Sequence, residues 1–97
     1  RARVLAPARI KRRWDKRYRL VMFDIPQHKR STRDQLRRMM LDFGFLRVQY
    51  SVWVSPYDCE ELIALVKAEL RLGKDVLYAV VEQIENDGWI KKHFQLA

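Results

Sequence analysis

The sequence predicts an α+β fold with an antiparallel sheet, and two observations carry this prediction. Segments with the apolar patterns of strands alternate with two segments whose apolar residues recur at helical spacing. Residues typical of helix starts and helix stops flank both helical segments. The chain has 97 residues, of which 48% are hydrophobic, so it can bury one core and corresponds to one globular domain.

The first strand is predicted over Tyr18 to Ile25, and Pro26 ends it because proline cannot donate to a central ladder. A helix is predicted to start at Ser31 or Thr32, since Ser31 with Asp34 three residues later resembles a capping box. Its buried stripe consists of Leu36, Met39, Met40 and Phe43.

Gly44 is the expected left-handed stop of this helix. The strand region Phe45 to Ser55 is long for one strand, so we expect a bend near Gln49 to Ser51 to divide it. Asp58 with Glu61 predicts the start of a second helix.

Gly73 is expected to end the second helix, and Val76 to Glu82 is a further apolar strand. The last segment, Ile84 to Phe94, contains an Asp87-Gly88 turn with short structured segments on either side. This order is that of a ferredoxin-like βαββαβ sandwich, with both helices on one sheet face. The second face is also apolar, so we expect it to pack against a partner, most simply in a homodimer.

The net charge of +8 belongs to the N-terminal end of the chain. Residues 1–19 hold nine basic side chains and one acidic side chain, whereas the other residues are balanced. We therefore divide the chain into a basic arm or linker (residues 1–17) and a folded domain (residues 18–97). Such an arm either binds a polyanion, most often nucleic acid, or is a solvated linker. Because the chain begins with Arg1, we expect it to be part of a longer protein.

Composition also excludes several classes of protein. The one cysteine, Cys59, cannot form a disulfide within the chain, which favours the cytoplasm. No apolar run approaches the roughly 20 residues that a membrane-spanning helix needs, so we expect no membrane partner.

Asp24 is the candidate catalytic and metal-binding residue, because it follows four apolar residues at the end of the first strand. One carboxylate is a poor magnesium site, but two Asp24 side chains across a dimer axis would be adequate. The alternative is that Asp24 accepts backbone hydrogen bonds and orders the loop after the strand.

Arginines near Asp24 could bind phosphate groups, since guanidinium matches phosphate oxygens bidentately. The candidates are Arg30, Arg33, Arg37 and Arg47. The alternative is that these are solvated arginines paired with Asp34. Tyr50 and Trp53 lie on opposite faces of the strand region, so at least one should be core, and either could stack on a base.

Four motifs, in the same order, resemble the CRISPR-associated adaptation endonuclease family (Cas-two). They are LVMFDIP (Leu20 to Pro26), KRSTRDQLRRMM (Lys29 to Met40), GF (Gly44, Phe45) and RVQYSVW (Arg47 to Trp53). The resemblance implies a homodimer in which a C-terminal strand is exchanged or added to the partner's sheet. Members of that family are described as metal-dependent nucleases, which implies Mg²⁺ at Asp24, and also as the non-catalytic centre of the spacer-integration complex with the CRISPR integrase Cas-one; the resemblance leaves both roles open. The residues matched to the site or to bound nucleic acid are Arg30, Arg47, Ser51 and Trp53, beside which we place Arg33.

Other segments are similar to the central domain of the PaaX family of transcriptional repressors. These segments are WDKRYRLVMFDIP (Trp14 to Pro26), SVWVSPYDC (Ser51 to Cys59) and KKHF (Lys91 to Phe94). This resemblance implies a non-enzymatic, Cas-two-like dimerisation domain that follows a winged-helix domain through a basic linker. We place the nuclease interpretation first because RVQYSVW beside FDIP is closer to the nuclease pattern. Phe23 and Val54 depart from that pattern, and the repressor domain is the alternative.

Overall fold

The computed structural model describes residues 13–96, so most of the basic arm lies outside the described residues. The elements, in chain order, are β1 (Tyr18–Phe23), α1 (Arg30–Asp42), β2 (Leu46–Gln49), β3 (Val52–Ser55), α2 (Glu60–Leu70), β4 (Val76–Val81) and α3 (Gly88–Phe94). One-turn 3₁₀ helices precede α1 and β4. No helix in the described part of the chain is long and apolar enough to cross a membrane.

The four strands form one antiparallel sheet in the order β2-β3-β1-β4. β1 is central, with Met22 opposite Val52 on β3 and opposite Leu77 on β4. A turn at residues 50–51 separates β2 from β3, and an irregularity in their pairing lies between Arg47 and Gln49. The predicted division of the long strand region and the ferredoxin-like fold class are therefore confirmed.

The main core lies between the sheet and the helices α1 and α2. Alternate residues of β1, Val21 and Phe23, face these helices, where they pack with Leu36, Met40 and Ile63. Leu36 and Met40 belong to the predicted stripe of α1 and are fully buried, whereas Met39 and Phe43 are partly buried beside them. The helical periodicity of this segment thus correctly identifies the buried side of α1.

The second sheet face is covered at one end by α3 of the same chain. Tyr18, Val54 and Ile90 form the centre of this smaller core, and Phe94 and Trp14 pack against it. We expected a partner molecule to cover this face and a turn with short flanking segments after β4. Instead, Gly88–Phe94 is a helix, and no strand follows β4 in the described residues. The exchange or addition of a C-terminal strand across a dimer, which the resemblance implied, and the homodimer itself stay predictions.

The other end of the second face is left uncovered. Met22, Val52 and Leu77 lie side by side there on three adjacent strands. Leu77 is 61% exposed, and Met22 and Val52 are half-buried. We call these three residues the open apolar patch. It is continuous with β4, whose outer edge has no neighbouring strand among the described residues.

Two predicted helix boundaries are wrong. α1 begins at Arg30 with Lys29 as its N-cap, and no side chain caps it, so the capping box of Ser31 and Asp34 does not form. The last residue of α2 is Leu70, and its C-cap, Arg71, adopts the left-handed conformation (φ 55°) that we expected at Gly73. Gly44 does end α1, with φ 87°. Because a left-handed arginine is uncommon, sequence pattern alone favoured the glycine.

The segment that leads into β1 is held by one buried arginine. Arg19 is 7% exposed and forms a bidentate ion pair with Asp15, at 2.7 and 2.9 Å. It also donates to the buried carbonyl of Pro56 at 2.9 Å. Trp14 lies over Tyr18 with 5.3 Å between ring centroids. The chain thus contacts the domain from Trp14 onward, four residues before the predicted boundary at Tyr18.

Replacing Arg19 by Met should destabilise the fold, because Asp15 loses its partner and the Pro56 carbonyl loses its buried donor. We expect the free energy of unfolding to fall by about 2 kcal/mol, the usual contribution of a hydrogen bond to a charged group. Urea unfolding followed by circular dichroism measures it. The matched control Arg17→Met changes an exposed side chain and should have little effect. An equal loss in both variants would contradict this role of Arg19.

The same ion pair makes stability depend on pH. Arg19 lowers the pKa of Asp15 to about 2 from 3.8. Because the folded-state pKa is the lower one, the pair stabilises the fold fully above pH 3.8, and this contribution is lost as the pH falls toward 2. Arg19→Met should remove this part of the acid dependence.

Candidate functional site

The structure places the predicted site residues in two separate groups, the first of them around Asp24. Asp24 is exposed at the end of β1, and its N–H donates to the carbonyl of Asp75 at 3.0 Å. The N–H of Phe23 donates to the carbonyl of Ser51 at 3.1 Å, which brings Ser51 to the same end of the sheet. A shallow pocket of about 220 Å³ is lined by Met22, Phe23, Asp24, Ser51, Val52, Lys74, Asp75 and Leu77. Asp24 and Ser51 therefore border the open apolar patch.

Sequence reasoning missed Asp75, the second carboxylate of this group. The position of Asp75 beside Asp24 follows from the strand pairing, because Phe23 is opposite Val76 and the next residues, Asp24 and Asp75, must then be neighbours. The Asp75 carboxylate forms an ion pair with Lys29 at 3.9 Å. Asp24 forms no side-chain hydrogen bond or ion pair with any described residue.

These residues provide a weak fit to a magnesium ion. Mg²⁺ is usually held by one or two carboxylates together with waters and phosphate oxygens. The described residues contain no group of three or more potential metal ligands, and Lys29 already engages Asp75. The predicted site made of two Asp24 carboxylates needs a second copy of the chain, and it stays a prediction.

The second group consists of arginines around Tyr50, in the turn between β2 and β3. The guanidinium carbons of Arg37 and Arg47 lie 4.8 and 5.1 Å from the centre of the Tyr50 ring. Arg47 also donates to the Tyr50 carbonyl from Nε and Nη2, at 3.1 and 2.8 Å. Arg33 lies one helical turn before Arg37 on α1, so both arginines face the same side. We call Arg33, Arg37, Arg47 and Tyr50 the arginine cluster.

The cluster changes the acidity of the Tyr50 phenol. The interaction of the Tyr50 side chain with Arg37 is the main cause that lowers the pKa of Tyr50. The charges of Arg33 and Arg47 lower this pKa further. The positive groups favour the phenolate, since opposite charges stabilise each other. Nε and Nη2 of Arg37 nevertheless donate no hydrogen bond to any described residue.

Trp53 does not belong to a nucleic-acid surface. Only 2% of it is exposed, because it faces α1 and α2 within the main core. A base cannot stack on a ring without an exposed face, so that part of the prediction is wrong. The Arg47 guanidinium lies 5.7 Å from the centre of the Trp53 ring, which makes Trp53 a support for Arg47. Arg30, the first residue of α1, is exposed and forms no ion pair with the described residues.

Alkaline titration tests this arrangement, because the tyrosines differ in their surroundings. Burial, together with the hydrogen bond from its hydroxyl to Asp87 (2.7 Å), raises the pKa of Tyr18, and burial raises that of Tyr78. We therefore expect Tyr50 to ionise first as the pH rises, before Tyr18 and Tyr78. Phenolate absorbance measures it, with Tyr50→Phe to identify the component.

Arg37→Gln should move the Tyr50 titration to higher pH, because it removes the main group that favours the phenolate. Arg38→Gln is the matched control on the same helix, since Arg38 is exposed and lies outside the cluster. A Tyr50 titration that does not respond to Arg37→Gln would contradict the geometry of the cluster.

Comparison with known protein families matches residues 11–91 to the PaaX protein central Cas2-like domain. No curated protein and no solved structure matches the chain. The family match covers most of the chain, including β1 and its flanking Trp14, both halves of the β2-β3 hairpin and the first half of α3. By this match, with the four-stranded antiparallel sheet and its helices, the chain belongs to the family of PaaX central Cas2-like domains.

Proposed function

We propose that this chain is a non-enzymatic homodimerisation module of a PaaX-type transcriptional repressor. The observation that carries the proposal is the family match over residues 11–91. From the sequence motifs, we placed the adaptation endonuclease interpretation first and the repressor-domain interpretation second. Because the match is to the PaaX type of Cas2-like domain, it supports the repressor domain, and we place that interpretation first. Shared fold alone would not separate the two, since function depends on the site rather than on the fold.

The open apolar patch is the surface we propose for the dimer. Met22, Val52 and Leu77 occupy neighbouring positions on three strands, so they present one apolar surface that α3 leaves bare. Contiguous exposed apolar surface of this kind, with a polar rim, is typical of protein interaction sites. A two-fold axis through the patch would bury it against its own copy.

Charges at the rim of the patch support pairing with an identical copy. Asp24 and Asp75 are acidic, and Lys29 and Lys74 are basic, all within the same end of the sheet. A surface that carries both signs is able to complement itself across a two-fold axis, because acid on one protomer can face base on the other. Asp24 forms no side-chain hydrogen bond or ion pair with the described residues, so its carboxylate is available for such a contact.

Leu77→Asp should weaken the dimer, because it places a carboxylate within the apolar patch, beside Met22. We expect the dimer dissociation constant to rise at least about tenfold, as when a charge is buried without a partner at an interface. Sedimentation equilibrium measures it. The matched control is Leu65→Asp on α2, where the leucine is 66% exposed but lies on the opposite side of the sheet.

A chain that is monomeric before any substitution would contradict the proposed function. Equal weakening by Leu77→Asp and Leu65→Asp would contradict the proposed surface. Circular dichroism spectra that match the unmodified chain exclude misfolding of either variant as the cause.

The second candidate is the Cas-two function, a metal-dependent endonuclease that acts in spacer adaptation with the integrase Cas-one. One observation favours it: Asp24 is exposed, has no partner among the described residues, and borders the surface where we place the dimer axis. In this mechanism, Mg²⁺ would supply charge neutralisation at the scissile phosphate and an activated water. The two Asp24 side chains would hold the metal, and Arg30 and Arg47 would hold the nucleic-acid backbone.

Asp24→Ala separates the two candidates. For the repressor module, we expect no cleavage of RNA or DNA above background with Mg²⁺ or Mn²⁺, either before or after the substitution. The assay is gel analysis of end-labelled RNA and DNA, with EDTA as the control. Metal-dependent cleavage that Asp24→Ala abolishes, while sedimentation still shows a dimer, would establish the nuclease instead.

A further inference from the structure

The arginine cluster has a large excess of positive charge over nearby negative charge. Arg33, Arg37 and Arg47 all act on Tyr50. Asp34 is the one acidic residue that forms an ion pair with any of them among the described residues, and its contact with Arg37 is long, at 3.9 Å. By contrast, the buried Arg19 has a bidentate carboxylate at 2.7 Å. Among the described residues, the charge of the structural arginine is thus paired, whereas the cluster keeps an excess of positive charge.

Several donors of the cluster also lack acceptors. Nε of Arg33, and Nε and Nη2 of Arg37, are shielded from solvent and donate no hydrogen bond within the described part of the chain. An arginine donor removed from water without an acceptor lowers stability, because its hydration is lost and not replaced. Nε of Arg19 and the indole N–H of Trp53 also lack acceptors, so this observation supports an anion site only together with the excess of positive charge in the cluster.

The parts of the cluster are positioned by different elements of rigid structure. α1 holds Arg33 and Arg37, and β2 holds Arg47. The hydrogen bonds from Arg47 to the Tyr50 carbonyl fix the turn between β2 and β3. Trp53 packs beneath Arg47. Tyr50 itself is 65% exposed, so the hydroxyl is accessible at the surface.

We propose that Arg33, Arg37, Arg47 and Tyr50 form a binding site for a phosphate group. Guanidinium groups present paired N–H donors that match phosphate oxygens, and a phenol hydroxyl donates a further hydrogen bond. The group is either a phosphodiester of a nucleic-acid backbone or the phosphate of a small molecule. The inference does not rest on the dimer, because every residue in it comes from one chain.

Tyrosine resonances of the full chain, labelled with ¹³C in the phenol ring, report on this site. Tyr50→Phe identifies the Tyr50 resonance. Inorganic phosphate is titrated at constant ionic strength, with chloride as the control for simple screening. We expect phosphate to shift the Tyr50 resonance saturably and chloride to leave it in place. The Tyr50 pKa should rise when phosphate is bound, because the anion offsets the positive charge that favours the phenolate.

Arginine variants locate the bound group. Arg37→Gln and Arg47→Gln should each weaken phosphate binding by about tenfold or more, the cost of one hydrogen bond to a charged group. Arg38→Gln, one residue along α1 and outside the cluster, should change it less than twofold, about 0.4 kcal/mol. Equal weakening by Arg38→Gln and Arg37→Gln, or an equal response to chloride, would overturn the proposal.

A short DNA duplex in place of phosphate distinguishes the two sources. A shift of Tyr50 at lower duplex concentration than phosphate supports the nucleic-acid backbone. A shift with phosphate and none with duplex supports a small phosphate-bearing molecule. If neither phosphate nor duplex shifts Tyr50, the proposal is wrong, and sedimentation of the same sample still reports on the dimer separately.

Discussion

Both hydrophobic cores of the domain are built on β1, so the packing of this strand decides which parts of the sheet stay exposed. Val21 and Phe23 pack against α1 and α2, while Tyr18 on the opposite side packs against Ile90 of α3. Because α3 has only seven residues, it covers the Tyr18 end of the sheet and does not reach the Met22 end. The open apolar patch and the exposed Asp24 are found at this same end of β1. The surface we propose for the dimer is thus the part of the second sheet face that α3 leaves uncovered.

Much of this architecture was predictable from local pattern. Alternating apolar residues predicted the strands, and the stripe that includes Leu36 and Met40 predicted the buried side of α1. The length of the Phe45 to Ser55 region predicted its division into two strands. α3 was not predictable in this way, because an Asp87-Gly88 pair is typical of a tight turn and the helix that follows it is short. Which element covers the second sheet face is decided by tertiary packing, and no local pattern carries that information.

The site residues show the same limit. Strand alternation predicted Tyr50 and Trp53 on opposite faces, but Tyr50 lies in the turn between β2 and β3, where the alternation ends, and both rings lie near the Arg47 guanidinium. That Trp53 is buried while Tyr50 is exposed follows from tertiary packing. The sequence pointed to Arg33 and Arg47 but could not show that Tyr50 lies beside both Arg37 and Arg47. It missed Asp75, because the neighbour of Asp24 across the sheet is known only once β1 and β4 are paired.

We propose that two copies of this chain meet at the open apolar patch, and the solvent accessibility of Met22 reports on that contact directly. The chain has three methionines, of which Met22 lies in the patch while Met39 and Met40 lie on α1. Methyl-labelled methionine is followed by NMR with a soluble paramagnetic agent as the protein is diluted. We expect the Met22 methyl group to be protected from the paramagnetic agent at high protein concentration and to become accessible on dilution. The accessibility of the Met39 and Met40 methyl groups should not change. Met22 accessibility that is independent of protein concentration, in a sample that sedimentation shows to be dimeric, would contradict the proposed contact.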